Sequence, residues 1–325
     1  MIANSTGSDS VNEKVTEKGC KRSIIFKKNM KTCVCFLLVM LLVSGCVNQG
    51  SSPQDEPASP EPAPESTPPP VQQTIPESGE IPMPADDLTI TVIFDNNLYD
   101  PELTESWGFS CLIEGCEKTI LFDTGGDGNI LSGNMGKLGV NPEDIDVIVL
   151  SHIHGDHTDG LPSVLRKNSD VTVYVLQTFP FSFKEDVKGY GAEVVAVENP
   201  LRICENVYST GLLSYPVDEQ SLIIRTDRGL IVITGCAHPG IVRIVKKAKE
   251  LFQEDVLLVM GGFHLTDTSM SKIEGIVSDF RELGVLYAGP CHCSGYTAQE
   301  LFKEEYGQYY VEIGVGRIIY VKDLE

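Results

Sequence analysis

The stretch that decides the fold is Ser151-His152-Ile153-His154-Gly155-Asp156-His157-Thr158-Asp159-Gly160, which carries three of the chain's six histidines. It follows an apolar run at 146–150 that is short and rich in β-branched residues. Such a run predicts a buried parallel strand, with the histidines in the loop that leaves its carboxyl end.

The spacing of these side chains predicts a metal site. Alternate side chains of an extended segment share a face, so His152 and His154 can point at one ion. Asp156 and His157 come where a helix is expected to begin, and they can serve a second ion. Imidazole and carboxylate ligands suit zinc best, with iron or manganese as alternatives, and they do not suit calcium. Solvated loop histidines are the competing interpretation, which four potential ligands within six positions disfavour.

The His-x-His-x-Asp-His run at 152–157 resembles the first metal motif of the metallo-β-lactamase superfamily. The preceding Leu-Phe-Asp-Thr-Gly at 121–125 and the following Thr-Asp-Gly-Leu at 158–161 are similar to that superfamily as well. The resemblance implies an α/β (α+β) fold, a four-layer αβ/βα sandwich covering about 87–325. It also implies that Asp123 supports the metal loop from behind, although a turn-forming Asp before Thr-Gly is an equal alternative.

The amino-terminal quarter is predicted to lie outside that domain. Residues 1–46 combine a basic flank with a short apolar run, which indicates a secretory signal, and 42–46 resembles a prokaryotic lipobox with Cys46 as the lipidated residue. The alternative is an uncleaved helix that anchors the chain in a membrane, although the apolar run is shorter than a membrane-spanning helix needs. Residues 47–86 hold eleven of the nineteen prolines and no basic residue, which predicts a disordered stalk. We therefore expect an exported lipoprotein, anchored to the cell membrane and facing outside.

The charge of the domain bears on its partners. Residues 87–325 contain 18 basic and 36 acidic residues, a formal charge of −18. Nucleic acid is bound through Lys and Arg, so this balance argues against a nucleic-acid partner. We expect a small-molecule substrate that contains a phosphate or another ester.

The second half of the chain repeats a strand, ligand and helix pattern three times. Apolar runs at 229–233, 256–260 and 285–288 lead into glycine-bearing loops that hold Cys236 with His238, then His264, then His292. Strand ends on one side of an α/β sheet converge, so we expect these side chains to meet the 152–157 loop.

These three loops refine the resemblance. They are similar to the branch that contains the dihydropterin-ribofuranosylaminobenzene phosphate synthase of methanopterin biosynthesis. One departure is that Cys236 follows Thr-Gly where most hydrolases of the superfamily have a bridging Asp. Another is that no separate histidine motif occurs between 158 and 237.

We expect two divalent ions, and the candidate residues divide between them. His152, His154 and His238 would hold one ion, and Asp156, His157 and His292 the other. Cys236 is a further candidate ligand, with a buried inert cysteine as the alternative. The candidate catalytic residues are Asp156, which could orient a nucleophile, and His264, which is left over as a proton donor or phosphate binder.

Three functions fit this site. The first is a metal-dependent hydrolase whose dinuclear site activates water against a small phosphate or other ester. The second is a transferase like the pterin synthase, in which the metals activate a diphosphate leaving group. Export counts against the second, because the family's substrates are cytoplasmic. The third is a non-catalytic lipoprotein that binds a metal or ligand.

Overall fold

The computed structural model describes residues 81–324, so the predicted leader and nearly all of the predicted stalk lie outside the described residues. The boundary between stalk and domain stays a prediction. Met83 already pairs with Thr226, and Ala85 is buried.

The first sheet is mixed and has seven strands. Its members are β1 (Thr89–Phe94), β2 (Ser110–Glu114), β3 (Ile120–Phe122), β4 (Val147–Val149), β5 (Thr172–Leu176), β6 (Glu193–Val197) and β13 (Ile318–Tyr320). They lie in the order β13-β1-β2-β3-β4-β5-β6. The first three pairings in that order are antiparallel, and those from β3 to β6 are parallel.

The second sheet has six strands and ends in a parallel trio. Its members are β7 (Leu201–Cys204), β8 (Val207–Ser209), β9 (Leu222–Thr226), β10 (Gly229–Thr234), β11 (Val256–Gly262) and β12 (Val285–Cys291), in the order β12-β11-β10-β9-β8-β7. The strands β10, β11 and β12 are parallel to one another, and the other pairings are antiparallel.

Helices cover the outer faces of both sheets. They are α1 (Gly128–Leu138), α2 (Gly155–Thr158), α3 (Leu161–Leu165), α4 (Phe181–Gly189), α5 (Ile241–Phe252), α6 (Met270–Glu282) and α7 (Tyr296–Tyr306). The alternation along β10 explains the layers: Ile231 and Ile233 join the core between the sheets, while Leu230 and Val232 join the core beneath α5, α6 and α7. The four-layer αβ/βα sandwich is thereby confirmed.

The strands predicted at 146–150, 229–233, 256–260 and 285–288 are present as β4, β10, β11 and β12, within about three residues of their expected bounds. Three short strands, β7, β8 and β13, were not predicted, because runs of three or four residues carry too little periodicity. The loops that carry the candidate site residues follow five strands and lie close together. These strands are β3 and β4 in the first sheet and β10, β11 and β12 in the second.

Candidate metal centre

The first group of side chains, here called the outer cluster, is His152, His154 and His238. Their ring nitrogens lie within 4.8 Å of one another. His152 is fully buried, His238 is partly buried, and His154 is exposed. Three imidazoles converging on one point can hold a divalent ion and leave a position open on the exposed side.

The second group, the inner cluster, is Asp156, His157, Cys236 and His292. One ligand atom from each lies within 4.8 Å of the others. His157 Nε2 is 3.2 Å from Cys236 Sγ, and His292 Nε2 is 3.3 Å from Asp156 Oδ2. His157, Cys236 and His292 are all buried, so the inner cluster is a mostly enclosed set of nitrogen, sulfur and oxygen donors.

Asp123 orients two histidines from behind, at the end of β3. Its Oδ2 accepts from His157 Nδ1 and from Ser151 Oγ, both at 2.7 Å, while Oδ1 accepts from Ser151 N at 2.7 Å. Ser151 Oγ also lies 2.9 Å from His152 Nδ1. Since the Ser151 hydroxyl proton goes to Asp123, this oxygen accepts from His152 Nδ1–H. Both rings are therefore held with Nε2 unprotonated and directed into the clusters.

Asn96 performs the same task for His292. Its Oδ1 lies 2.8 Å from His292 Nδ1, and an amide oxygen can only accept, so His292 presents a bare Nε2. Asn96 Nδ2 also donates to the His292 backbone oxygen at 3.3 Å. The sequence indicated only a polar turn at Asn96.

Glu219 holds the loop that carries Cys236 and His238. It is buried, and its carboxylate accepts from the backbone N–H groups of Cys236, Ala237 and His238 at 2.8–2.9 Å. Burial raises the pKa of Glu219 to about 7, although these three donors act in the opposite direction. No motif singled out this residue in the sequence.

The backbone is strained at four positions in or beside the loops of the candidate site. Four residues have φ between 46° and 58°, in the left-handed region that residues other than glycine rarely adopt: Asp123, Ala237, His264 and His292. Gly235 is required for a different reason. A Cβ there would lie 2.0 Å from Ser151 Oγ, so only glycine lets β10 end directly against the oxygens that orient the rings.

These residues fit divalent metal ions. The buried Nε2 atom of His238 has no hydrogen-bond partner, and that of His292 has only the Asp156 carboxylate nearby, at 3.3 Å, although buried polar atoms are rarely left unsatisfied. Three rings have Nδ1–H engaged behind the site and Nε2 facing inward, as metal-binding histidines do. The donor set of imidazole, carboxylate and thiol suits zinc or iron.

The pKa shifts follow the same geometry. Burial and the neighbouring imidazoles lower the pKa of His238 to about 4 and that of His152 well below its usual value. Burial would also lower the pKa of His157, but the Asp123 carboxylate outweighs it and the pKa is raised. Burial would raise the pKa of Asp156, yet His292 and His157 hold it well below its usual range.

A third group adjoins the other two and includes a residue that the sequence analysis did not select. Cys236, His264 and Cys293 place their ligand atoms within 4.8 Å of one another. Cys293 is buried and donates to the Cys236 backbone oxygen at 3.6 Å, while His264 is exposed and its ring lies 4.3 Å from that of His238. His264 thus sits at the rim, beside the outer cluster.

All eight predicted site residues meet in this region, although their roles as ligands or catalysts stay predictions. The supporting residues Asn96, Ser151, Glu219 and Cys293 were missed. Ser151 and Cys293 adjoin candidate ligands in the chain, which is a usable signal. Asn96 and Glu219 come from distant segments and carry no such signal.

Comparison with known proteins identifies relatives. The family model of the metallo-β-lactamase superfamily matches residues 108–302. A curated relative from Methanocaldococcus jannaschii, 7,8-dihydropterin-6-methyl-4-(β-D-ribofuranosyl)-aminobenzene-5'-phosphate synthase, is 31% identical over 270 residues, which cover 68% of this chain and 92% of the relative.

Solved structures agree on the fold. A metal-dependent hydrolase of the β-lactamase superfamily superposes with a TM-score of 0.59 at 30% identity, covering 71% of this chain and 98% of the other. The metallo-β-lactamase fold protein YhfI from Bacillus subtilis has a TM-score of 0.54 at 15% identity, covering 72% of this chain and all of the other, and it supports the fold alone.

The comparison also corrects one prediction. The expectation of an exported lipoprotein anchored to the cell membrane is wrong, because the chain matches the M. jannaschii synthase over 92% of that relative's length. Within residues 81–324 no helix is long and apolar enough to cross a membrane.

Proposed function

This chain belongs to the metallo-β-lactamase superfamily, and we propose that it is a metal-dependent enzyme that transfers an organic group from a phosphate-bearing small molecule to a second organic molecule. The observation that carries the proposal is the pair of clusters beside a cavity of about 960 Å³ whose wall includes His238 and His264. The similarity to the synthase, which extends over 92% of that relative, supports it.

Each cluster would hold one of two metal ions. His152, His154 and His238 would hold one ion, and Asp156, His157, Cys236 and His292 the other. Divalent ions, zinc in the first place, supply Lewis acidity that lowers the pKa of a nucleophile and neutralises charge on a departing phosphate oxygen.

The chain's own residues would position the substrate and move protons. The Asp156 carboxylate faces His157 and His292 and stays ionised, so it can orient a nucleophile. His264 stands exposed beside His238 and can donate a proton to the leaving oxygen. Burial of the inner cluster excludes water from one side of the reacting bond, while the outer cluster admits the substrate.

The cavity favours transfer over hydrolysis. Ligand pockets of about 300–1,000 Å³ bury most of a drug-sized molecule, and this cavity is at the upper end of that range. A cavity of this volume has room for an organic acceptor beside the phosphate-bearing donor, which transfer requires and hydrolysis does not. The objection that an exported protein would not meet such substrates falls with the correction of the localisation.

Hydrolysis of a small phosphate or other ester is the second candidate. The solved metal-dependent hydrolase of this superfamily, at 30% identity, favours it. A hydrolase would use the same two clusters, with water in place of the organic acceptor.

One experiment separates these functions. Purified protein loaded with zinc, manganese or ferrous iron is given a panel of aryl and pterin-like phosphate and diphosphate esters, with and without aromatic amine acceptors. Transfer predicts release of phosphate or diphosphate that depends on the acceptor, with a coupled product detected by mass spectrometry. Release at the same rate without acceptor would instead establish hydrolysis. The metal-free protein and the His152→Ala/His154→Ala variant are the controls.

A further inference from the structure

A cavity extends from the outer cluster into the groove between α5 and α6. Its inner wall contains His238 and His264, and its volume is about 960 Å³. The far wall consists of side chains from the two helices, and Gly275 leaves that part of the wall open because no atom lies near the position of a Cβ. A ligand whose reacting bond lies at the metal centre can therefore reach outward along this groove.

The charge of the groove is the reverse of the charge of the domain. Four basic residues line it against two acids, whereas the domain has 18 basic and 36 acidic residues. The basic residues are Arg243, Lys246, Lys247 and Lys272, and the acids are Glu250 and Asp279. A wall with six charged residues drawn at the domain's ratio would hold two cations and four anions, so the cations are concentrated here.

Helical spacing explains how these cations share one surface. Arg243 and Lys247 are four residues apart on α5, and Lys246 lies one turn from Arg243. Lys272 is in the first turn of α6, on the opposite wall.

A solvated helix face is the simplest alternative for these lysines, and the surplus of cations on this one wall argues against it. Among the lysines of residues 81–324, only Lys118, Lys188 and Lys249 have a carboxylate within ion-pair distance, so the ammonium groups of the three groove lysines are available to an anion.

Between the cations and the metal centre the wall is apolar. Ile241, Phe263 and Leu265 line the cavity within three residues of His238 or His264 in the chain, and all three are buried. The order along the groove is therefore metal ligands, then an apolar section, then cations. Such an order suits a molecule with a reactive group at one end, a ring in the middle and an anion at the other end.

We propose that Lys246, Lys247 and Lys272 form a subsite for a phosphate group of the substrate that does not react, separated from the reacting bond by an apolar or aromatic section. This inference rests on the proposed function, because it assigns the substrate class of the same site. Lysine ammonium groups bind phosphate as point charges, and Arg243, which donates to the Ser214 backbone oxygen, anchors the edge of the groove.

The test measures equilibrium binding of phenyl phosphate to the metal-loaded protein by calorimetry. Lys246→Ala/Lys247→Ala is expected to weaken binding about tenfold, the loss of one to two hydrogen bonds to a charged group. Lys167→Ala/Lys303→Ala removes the same charge from exposed positions outside the groove, one in the turn after α3 and one in α7, and is expected to leave binding unchanged. The single variant Lys272→Glu tests the opposite wall with a readout independent of α5.

The outcomes are separate from those that test the proposed function. Equal binding by the wild type and both groove variants would overturn the subsite, and so would an equal loss in the control pair, which would indicate general charge attraction. If orthophosphate bound as tightly as phenyl phosphate, the proposal that the apolar section of the groove contacts the substrate would be overturned. Metal content is measured for every variant, so a failure of the metal centre appears as lost metal, and a failure of the subsite appears as unchanged binding with full metal.

Discussion

The inner and outer clusters differ in how firmly their side chains are held before any ligand arrives. In the inner cluster both imidazoles have Nδ1 engaged from behind, by Asp123 and by Asn96, and both rings are buried. In the outer cluster only His152 has such a partner, in Ser151. His154 Nδ1 contacts His152 Nε2, another candidate ligand atom, at 3.1 Å, and His238 Nε2 has no partner.

The two clusters therefore suit different tasks. Orientation in advance reduces the entropy lost when a ligand binds, so the inner cluster should hold its ion more tightly. The looser, more exposed outer cluster faces the cavity, where side chains must adjust to a substrate.

Replacing one histidine of each cluster gives the sharpest contrast. His157→Ala should remove the inner ion and also lower the free energy of unfolding of the metal-free protein by about 3 kcal/mol, because the buried Asp123 carboxylate loses a donor. His154→Ala should remove the outer ion without changing the stability of the metal-free protein, since its ring is exposed. Metal analysis and urea unfolding measure both. Equal destabilisation by the two variants would contradict the comparison.

Asp123→Asn tests the support shared by His157 and Ser151. An amide cannot accept all three hydrogen bonds that the carboxylate accepts, so the rings of His157 and His152 lose their fixed orientation. Removing such a partner costs about 10–100-fold in metal affinity. Competition with a chromophoric chelator measures the change. Asp127→Asn, at the amino end of α1, is the matched control, and unaltered affinity in Asp123→Asn would refute the role of Asp123.

Glu219→Gln tests the support of the loop that serves both clusters. One backbone donor among Cys236, Ala237 and His238 would face an NH₂ group, which should lower the free energy of unfolding by about 1–2 kcal/mol. Affinity for both ions should fall together, because the loop supplies one candidate ligand to each cluster. A loss confined to one ion would show that the loop does not couple the clusters.

Asn96→Ala should have the smallest effect. It frees the ring of His292 and is expected to weaken the inner ion about tenfold while leaving the outer ion unchanged. The neighbouring Asn97→Ala, whose side chain bonds to Asp95, is the control from the same loop. Weakening of the outer ion by Asn96→Ala would mean that the two clusters are not independently supported.

The candidate ligands could be predicted from the sequence because each lies directly after an apolar run. In the 152–157 loop the side-chain directions follow from local backbone geometry alone, so the division of His152 and His154 from Asp156 and His157 needed no tertiary information. The loops of Cys236, His264 and His292 repeat one pattern, and parallel strand ends must converge. The short strands β7, β8 and β13 escaped prediction because their pairing partners, and not their own composition, make them strands.

The sequence by itself therefore determined the superfamily, the strand ends that carry the candidate ligands and the kind of donor atoms that meet there. Only the tertiary structure decided which side chains stand behind them. Asn96 is 196 residues from His292 in the chain, and Glu219 accepts from a loop on the far side of a hairpin. Hydrogen bonds of this kind form only when the fold places donor and acceptor from separate segments about 3 Å apart and in the right orientation. The groove between α5 and α6 has the same origin, because the cations of two helices form one surface only after both helices pack on the second sheet.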